Sequence, residues 1–188
     1  TWDTSVYKDE NSSTLSRNYA AAHLQLAFYY RRRGDIRRGV TEMERIARMF
    51  PNYTEVLVPL GTFYLDLGDT AKARALFERL TKANPANPEA HYYYGVTKIY
   101  TGQGADAVRE FETAIQLDPG YSMAYYAAYY APSESGQNER ALSYLERWAS
   151  GHPEDVQARQ MLENQRRLMG KDLAPQRLLA RPPLPNLP

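Results

Sequence analysis

The sequence predicts an all-α protein, an α-solenoid of four 34-residue helix-turn-helix repeats with a capping helix at the carboxyl end. Three observations carry this reading. Prolines stand at Pro51, Pro85, Pro119 and Pro153, each 34 residues after the last. Glycines at Gly34, Gly68, Gly102 and Gly136 keep the same interval, and two independent markers in step over four periods are the signature of a repeat array. Each interval also holds two helix-length apolar patterns separated by a glycine-containing turn. No single unit can bury its apolar face alone, so stacking creates the core.

Taken in order, residues 1–19 read as an N-terminal linker or extension. With each proline set at position 32 of its unit, the repeats occupy 20–53, 54–87, 88–121 and 122–153. The first unit places Leu26, Ala27 and Tyr30 on its first helix, with Gly39 and Met43 on its second. The second, LVPLGTFYLDLGDTAKARALFERLTKANP, supplies Leu60, Gly61, Tyr64, Gly68, Ala73, Phe77, Leu80 and Pro85. The third, YYYGVTKIYTGQGADAVREFETAIQLDP, supplies Tyr94, Gly95, Gly102, Ala107, Phe111, Ala114 and Pro119. These residues at these spacings resemble the tetratricopeptide repeat family over about residues 20–153. The resemblance implies a right-handed superhelix in which small residues (Ala27, Gly61, Gly95, then Ala73, Ala107, Ala141) admit close helix approach. The first unit departs at Gly39 and Met43, which replace the usual alanine and aromatic.

The fourth unit departs further. Tyr129 stands where the family has glycine or alanine, and Pro132 removes a backbone donor where the first helix should finish. That helix is expected to end near Ala131, with PSESGQ as a longer turn before NERALSYLERWAS. Residues 154–170 read as an amphipathic capping helix with Val156, Met161, Leu162, Leu168 and Met169 available for packing. Residues 171–188, ending in RPPLPNLP, are too proline-rich for a helix and are expected to be extended.

The stretch HYYYGVTKIY, residues 91–100, raises the functional question. In the family, positions 2, 5, 6, 9, 12 and 13 of each first helix line a concave binding surface. The resemblance therefore implies a peptide-binding groove with Leu24, Phe28, Val58, Tyr92, Tyr93, Val96, Tyr100, Tyr126 and Tyr130 in its lining, while Tyr94 packs internally. Tyrosines offer amphipathic contact area at modest entropy cost, which suits recognition of a protein or an extended peptide. The alternative is that they cover neighbouring helices or hold the carboxyl-terminal tail. The carboxylate clamp of some family members is not expected, because its positions hold Leu24, Phe28, Pro59, Glu89 and Tyr93, or, one unit on, Val58, Thr62, Tyr93, Met123 and Ala127. The arginine run 31–33 reads as a solvated helix end, an acidic-partner site being the alternative.

Other activities find little support. A formal net charge of +1 argues against a nucleic-acid binder, although residues 1–50 hold a basic excess and residues 101–153 an acidic one. With no cysteine, thiolate chemistry and thiolate metal sites are excluded. His23, His91 and His152 form no ligand pattern; His23 and His91 share position 4 of their units and read as packing residues. Glu110 and Glu112 read as ordinary surface. No phosphate loop, GxSxG or HExxH occurs, so neither catalysis nor a cofactor is expected. No apolar run is long enough to insert in a membrane.

The words VYKDEN at 6–11 and SRNY at 16–19 give a weaker resemblance, to the C-terminal repeat module of multi-pass membrane proteins related to protein O-mannosyltransferases. It implies an accessory domain on the extracytoplasmic face of a membrane; a free-standing scaffold would instead be cytoplasmic. Thr1 in place of methionine suits a processed chain or an excised piece. Self-association through the carboxyl-terminal tail is the third reading.

Overall fold

The computed structural model describes residues 10–131 and 138–169. Among the described residues run nine α-helices and no strand: α1 (Glu10–Arg32), α2 (Ile36–Met49), α3 (Thr54–Leu67), α4 (Thr70–Ala83), α5 (Pro88–Tyr100), α6 (Gly104–Leu117), α7 (Ser122–Tyr130), α8 (Asn138–Gly151) and α9 (Val156–Met169). They form a solenoid of four helix-turn-helix pairs closed by α9. The expected turn 132–137 and tail 171–188 lie outside the described residues.

Local chemistry sets the helix ends. Gly34, Gly68 and Gly102 adopt φ of 78°, 81° and 77°, the left-handed conformation that turns the chain after α1, α3 and α5 and that a Cβ disfavours. Asp35 and Asp69 follow the first two glycines. Their carboxylates accept from the backbone N–H of Arg38 at 3.2 Å and of Lys72 at 3.1 Å, capping α2 and α4. Asn87 caps α5 by accepting from Ala90 N–H at 2.8 Å, with Pro88 in the first turn. α7 stops at Tyr130: Ala131 has φ −55° and ψ 127°, the extended backbone preferred by a residue preceding proline.

Each helix packs on its neighbours in sequence; in addition the backbones of α3 and α5 and of α5 and α7 approach closely, whereas among the described residues the even-numbered helices meet one another only through side chains. The odd-numbered helices are thus the crowded, inner side of the curve. Packing there depends on exchanging volume between facing positions. A Cβ on Gly61 would lie 2.2 Å from Phe77 Cζ, and one on Gly95 would lie 2.6 Å from Phe111 Cε1. In the first unit the cleft is displaced: Gly39 of α2 receives Phe63 of α3, whose Cε1 would be 2.5 Å from an added Cβ. Phe63, Phe77 and Phe111 are fully buried, each contributing about 1.5–3 kcal/mol. In the fourth unit Tyr129 stands at the position of Gly61 and Gly95, and Leu145 at that of Phe77 and Phe111, so large and small have changed sides.

Two features differ from the sequence reading. α1 begins at Glu10, so half of the expected linker or extension 1–19 continues the first helix. On α9, Val156 is exposed rather than packed, and the anchor is Ala158, fully buried, with Met161 and Leu162 partly covered.

Candidate functional site

The inner face of α1, α3, α5 and α7 carries the nine groove candidates at very different depths. Val58, Tyr92, Tyr93 and Val96 are buried; Tyr92 is only 4% exposed and Tyr93 8%. Leu24, Phe28 and Tyr126 are half-buried against the core. Tyr100 and Tyr130 stand open to solvent at 49% and 48%.

The tyrosines of HYYYGVTKIY correct the expectation that Tyr92 and Tyr93 look outward, while Tyr94 packs against the core as expected, though only partly buried. Tyr93 stacks on Phe77, centroids 5.2 Å apart at 16°. Tyr92 stands edge-on to Tyr93 at 4.9 Å and to Tyr121 at 5.4 Å. Tyr94 is the least covered of the three, with Lys98 Nζ 4.4 Å above its ring. The reason is the approach of α5 to both α3 and α7: rings at the seams fold down into the clefts, where aromatic burial outweighs exposure of one edge.

Polar groups gather above this layer. Arg31 of α1 reaches Asp66 of α3, Nε to Oδ2 2.7 Å, while its guanidinium lies 5.3 Å from the Phe63 ring centre. Burial pushes the Asp66 carboxyl up, and Arg31 reverses this only in part. Tyr93 is pushed up to about 12, first by burial and then by the charge of Glu89, with Arg31 opposing. Its hydroxyl therefore lies in the combined field of Arg31, Asp66 and Glu89. An ion pair, a phenol and an acidic side chain, with Phe28 and Tyr100 beside them on the same helix layer, can offer an extended chain both hydrogen bonds and apolar contact. Of the arginine run, Arg31 is thus engaged, Arg33 donates to Tyr29 Oη at 2.7 Å, and Arg32 is exposed.

At the carboxyl end Tyr126, Tyr129 and Tyr130 of α7 point toward α9 and its cap, whereas Tyr125 packs on Trp148 of α8. Tyr126 donates to Asp155 Oδ2 at 2.7 Å, Tyr129 to Gln165 Oε1 at 3.2 Å, and Tyr130 approaches Met161 Sδ at 3.6 Å. Trp148 Nε1 donates to the same Asp155 oxygen at 2.8 Å, while Asp155 Oδ1 caps α9 at Ala158 N–H, 3.0 Å away. Burial raises the Asp155 carboxyl, but these donors outweigh it and hold the group below its ordinary value.

Sequence reasoning missed Asp155 and Tyr121. An aspartate just before an apolar helix pattern is a local capping signal, but nothing local joins Asp155 to Tyr126. Tyr121 precedes α7, and its buried hydroxyl has no hydrogen-bond partner among the described residues; burial raises its pKa, with Tyr93 and Tyr92 adding.

The histidines and acidic residues of the second helices are also corrected. His23 Nδ1 lies 2.6 Å from Glu42, and His91 Nδ1 lies 2.8 Å from Glu110. These are the same two positions of their units, 19 residues apart, so the histidines make polar ties rather than apolar packing. Glu110 also accepts from Lys98 Nζ at 2.8 Å. Glu112 accepts from Tyr144 Oη at 2.5 Å and Arg140 at 2.9 Å. Both glutamates are inter-helix ties rather than ordinary surface. Among the described residues no group of three or more His, Asp or Glu converges to hold a metal ion, and no described helix is long and apolar enough to cross a membrane.

These features define a helical-repeat scaffold with an aromatic inner face. Residues 30–95 match the tetratricopeptide repeat family model. The fold is similar to a crystal structure of MamA protein, with 22% identity and a TM-score of 0.64 over 81% of this chain and 83% of that one. MamA from Desulfovibrio magneticus RS-1 gives 22% identity and a TM-score of 0.64 over 81% and 86%. A mutant O-GlcNAc transferase of Thermobaculum terrenum gives 23% identity and a TM-score of 0.64, over 73% of this chain and 27% of that one. No curated protein matches the chain.

Proposed function

We propose that the chain is a noncatalytic scaffold that binds a protein or an extended peptide segment along the inner face of its odd-numbered helices. The observation that supports this most is the Arg31–Asp66 ion pair, which bridges α1 and α3 at 2.7 Å with its guanidinium over the buried Phe63 ring. Tyr100 supplies exposed aromatic area on the same helix layer, whereas Tyr126 and Tyr130 divide their contacts between this face and α9. The reading is tested by selecting peptides from a random display library on the immobilised chain. Selected peptides should lose about tenfold or more in affinity with Tyr100→Ala or Asp66→Ala, each an anchor of typical interface size. Failure to select any peptide, or unchanged affinity in both variants, overturns it.

A second reading, an accessory domain beside a membrane glycosyltransferase-like protein, is supported by the likeness to the O-GlcNAc transferase structure and by the VYKDEN and SRNY words. The same inner face would then hold an acceptor polypeptide.

A further inference from the structure

We infer that the bound peptide is acidic, and that one of its aspartate or glutamate side chains seats in the cavity at the turn between α1 and α2. The inference rests on the inner-face reading and names the chemistry of its partner. A cavity of about 440 Å³ opens at that turn, lined by Arg33, Asp35, Ile36 and Arg37, with Asp66 and Leu67 from the end of α3. This is the volume of an ordinary ligand cleft, ample for one side chain and the backbone that carries it. Asp66 belongs both to the cavity and to the ion pair of the inner face. It sits where the two regions join, with lone pairs to spare for backbone N–H groups of a peptide passing from one to the other.

Charge decides what enters. Arg31, Arg32, Arg33, Arg37 and Arg38 crowd around a single aspartate in sequence, in a chain whose formal net charge is +1. The two carboxylates of the cavity are already held, Asp66 by Arg31 at 2.7 Å and Asp35 by Arg38 at 3.3 Å. Arg33 meets Tyr29, a neutral phenol. Arg37 is exposed, and among the described residues no carboxylate pairs with it. Two guanidinium charges lining the cavity are therefore uncompensated, and exposed Arg32 at the end of α1 adds a third.

The placement of Arg37 points the same way. Arg31 and Arg32 lie in the last turn of α1, where the helix dipole favours cations without any ligand. Arg37 lies in the first turn of α2, which holds no acidic residue. A cation at an amino end opposes the dipole of its own helix. An incoming carboxylate relieves that repulsion and accepts charge-assisted hydrogen bonds from the guanidinium. A basic side chain would add to the repulsion, and an apolar one would leave both arginines as they are.

Panning one random peptide display library in parallel on the intact chain and on an Arg37→Glu variant tests this. The intact chain should enrich aspartate or glutamate at one peptide position, and the variant should enrich lysine or arginine there. A peptide selected on the intact chain should bind about tenfold more weakly to Arg37→Ala, the loss of one charge-assisted hydrogen-bonding partner. Arg48→Ala makes the same change of charge in the last turn of α2 and should leave the affinity unchanged. Arg37→Ala should melt no lower than the parent, since it replaces an exposed side chain and relieves the helix end. Peptides with no acidic position, the same peptides on both proteins, or equal losses in Arg37→Ala and Arg48→Ala overturn the inference and leave inner-face binding standing. An empty selection removes both.

Discussion

The hydroxyl of Tyr126 on α7 donates a hydrogen bond to Asp155, 29 residues away, across 2.7 Å. That bond joins the fourth repeat to the terminal helix and engages a tyrosine that the repeat register assigns to the groove. Since Asp155 also receives Trp148 and caps α9, one carboxylate holds three elements. Asp155→Ala should therefore cost about 2–3 kcal/mol, through the lost cap and two stranded donors. Hydrogen exchange should rise most in α9, and Asp155→Asn should cost less than Asp155→Ala.

The same carboxylate makes a pH prediction. Its folded pKa lies below the ordinary value because its donors outweigh burial. Its contribution is thus fully present above the unfolded aspartate value, about 3.9, and is lost as the pH falls through the lower folded value. Acid unfolding followed by Trp148 fluorescence should show this loss, and Asp155→Asn should remove that share of the acid sensitivity. An unchanged acid profile in the variant would contradict the assignment.

Gly61→Ala should destabilise the chain by about 1–3 kcal/mol despite the better helix propensity of alanine, since the new methyl would lie 2.2 Å from Phe77 Cζ. Phe77→Leu in the same background should recover part of the loss, imitating the large-for-small exchange of Tyr129 and Leu145. Chemical denaturation of the single and double variants measures the coupling; strict additivity would count against it.

Tyr93→Ala and Tyr100→Ala should behave in opposite ways. Tyr93 is stacked in the core, and its truncation should cost about 3–5 kcal/mol. Tyr100 is exposed, so its truncation should change stability by no more than about 0.5 kcal/mol while weakening peptide binding. Thermal melts beside binding titrations distinguish the two.

Glu110→Ala should leave His91 and Lys98 half-buried without their shared partner, costing about 2–3 kcal/mol. A double-mutant cycle between His91 and Glu110 should report coupling of about 0.5–3 kcal/mol. The cycle between His23 and Glu42, in the same register, should agree in sign.

Much of the fold was legible because its punctuation is local. Gly34, Gly68 and Gly102 are needed where φ is positive, Asp35 and Asp69 cap the helices that follow, and Pro132 stops α7 at Tyr130; all of these act within a few residues of themselves. The inner face was less legible. Register assigns Tyr92 and Tyr93 to the inner side of α5, but their depth depends on how closely α3 and α7 approach, a property of the whole stack. The tie of Tyr126 to Asp155 and that of His91 to Glu110 escaped for the same reason: the partners lie 29 and 19 residues apart in sequence and meet only once the helices are packed.

The ties between α7 and α9 also have a mechanical meaning. A pull on the carboxyl end would act first on α9, which docks on α8 alone among the second helices and is otherwise held by the hydroxyls of Tyr126 and Tyr129 and the contact of Tyr130 with Met161. Those attachments would yield one after another, like a zipper, before any glycine–phenylalanine cleft opened. Peeling α9 away would uncover a row of tyrosines at the end of the inner face, so that tension on this end lengthens the aromatic surface before it unfolds the stack.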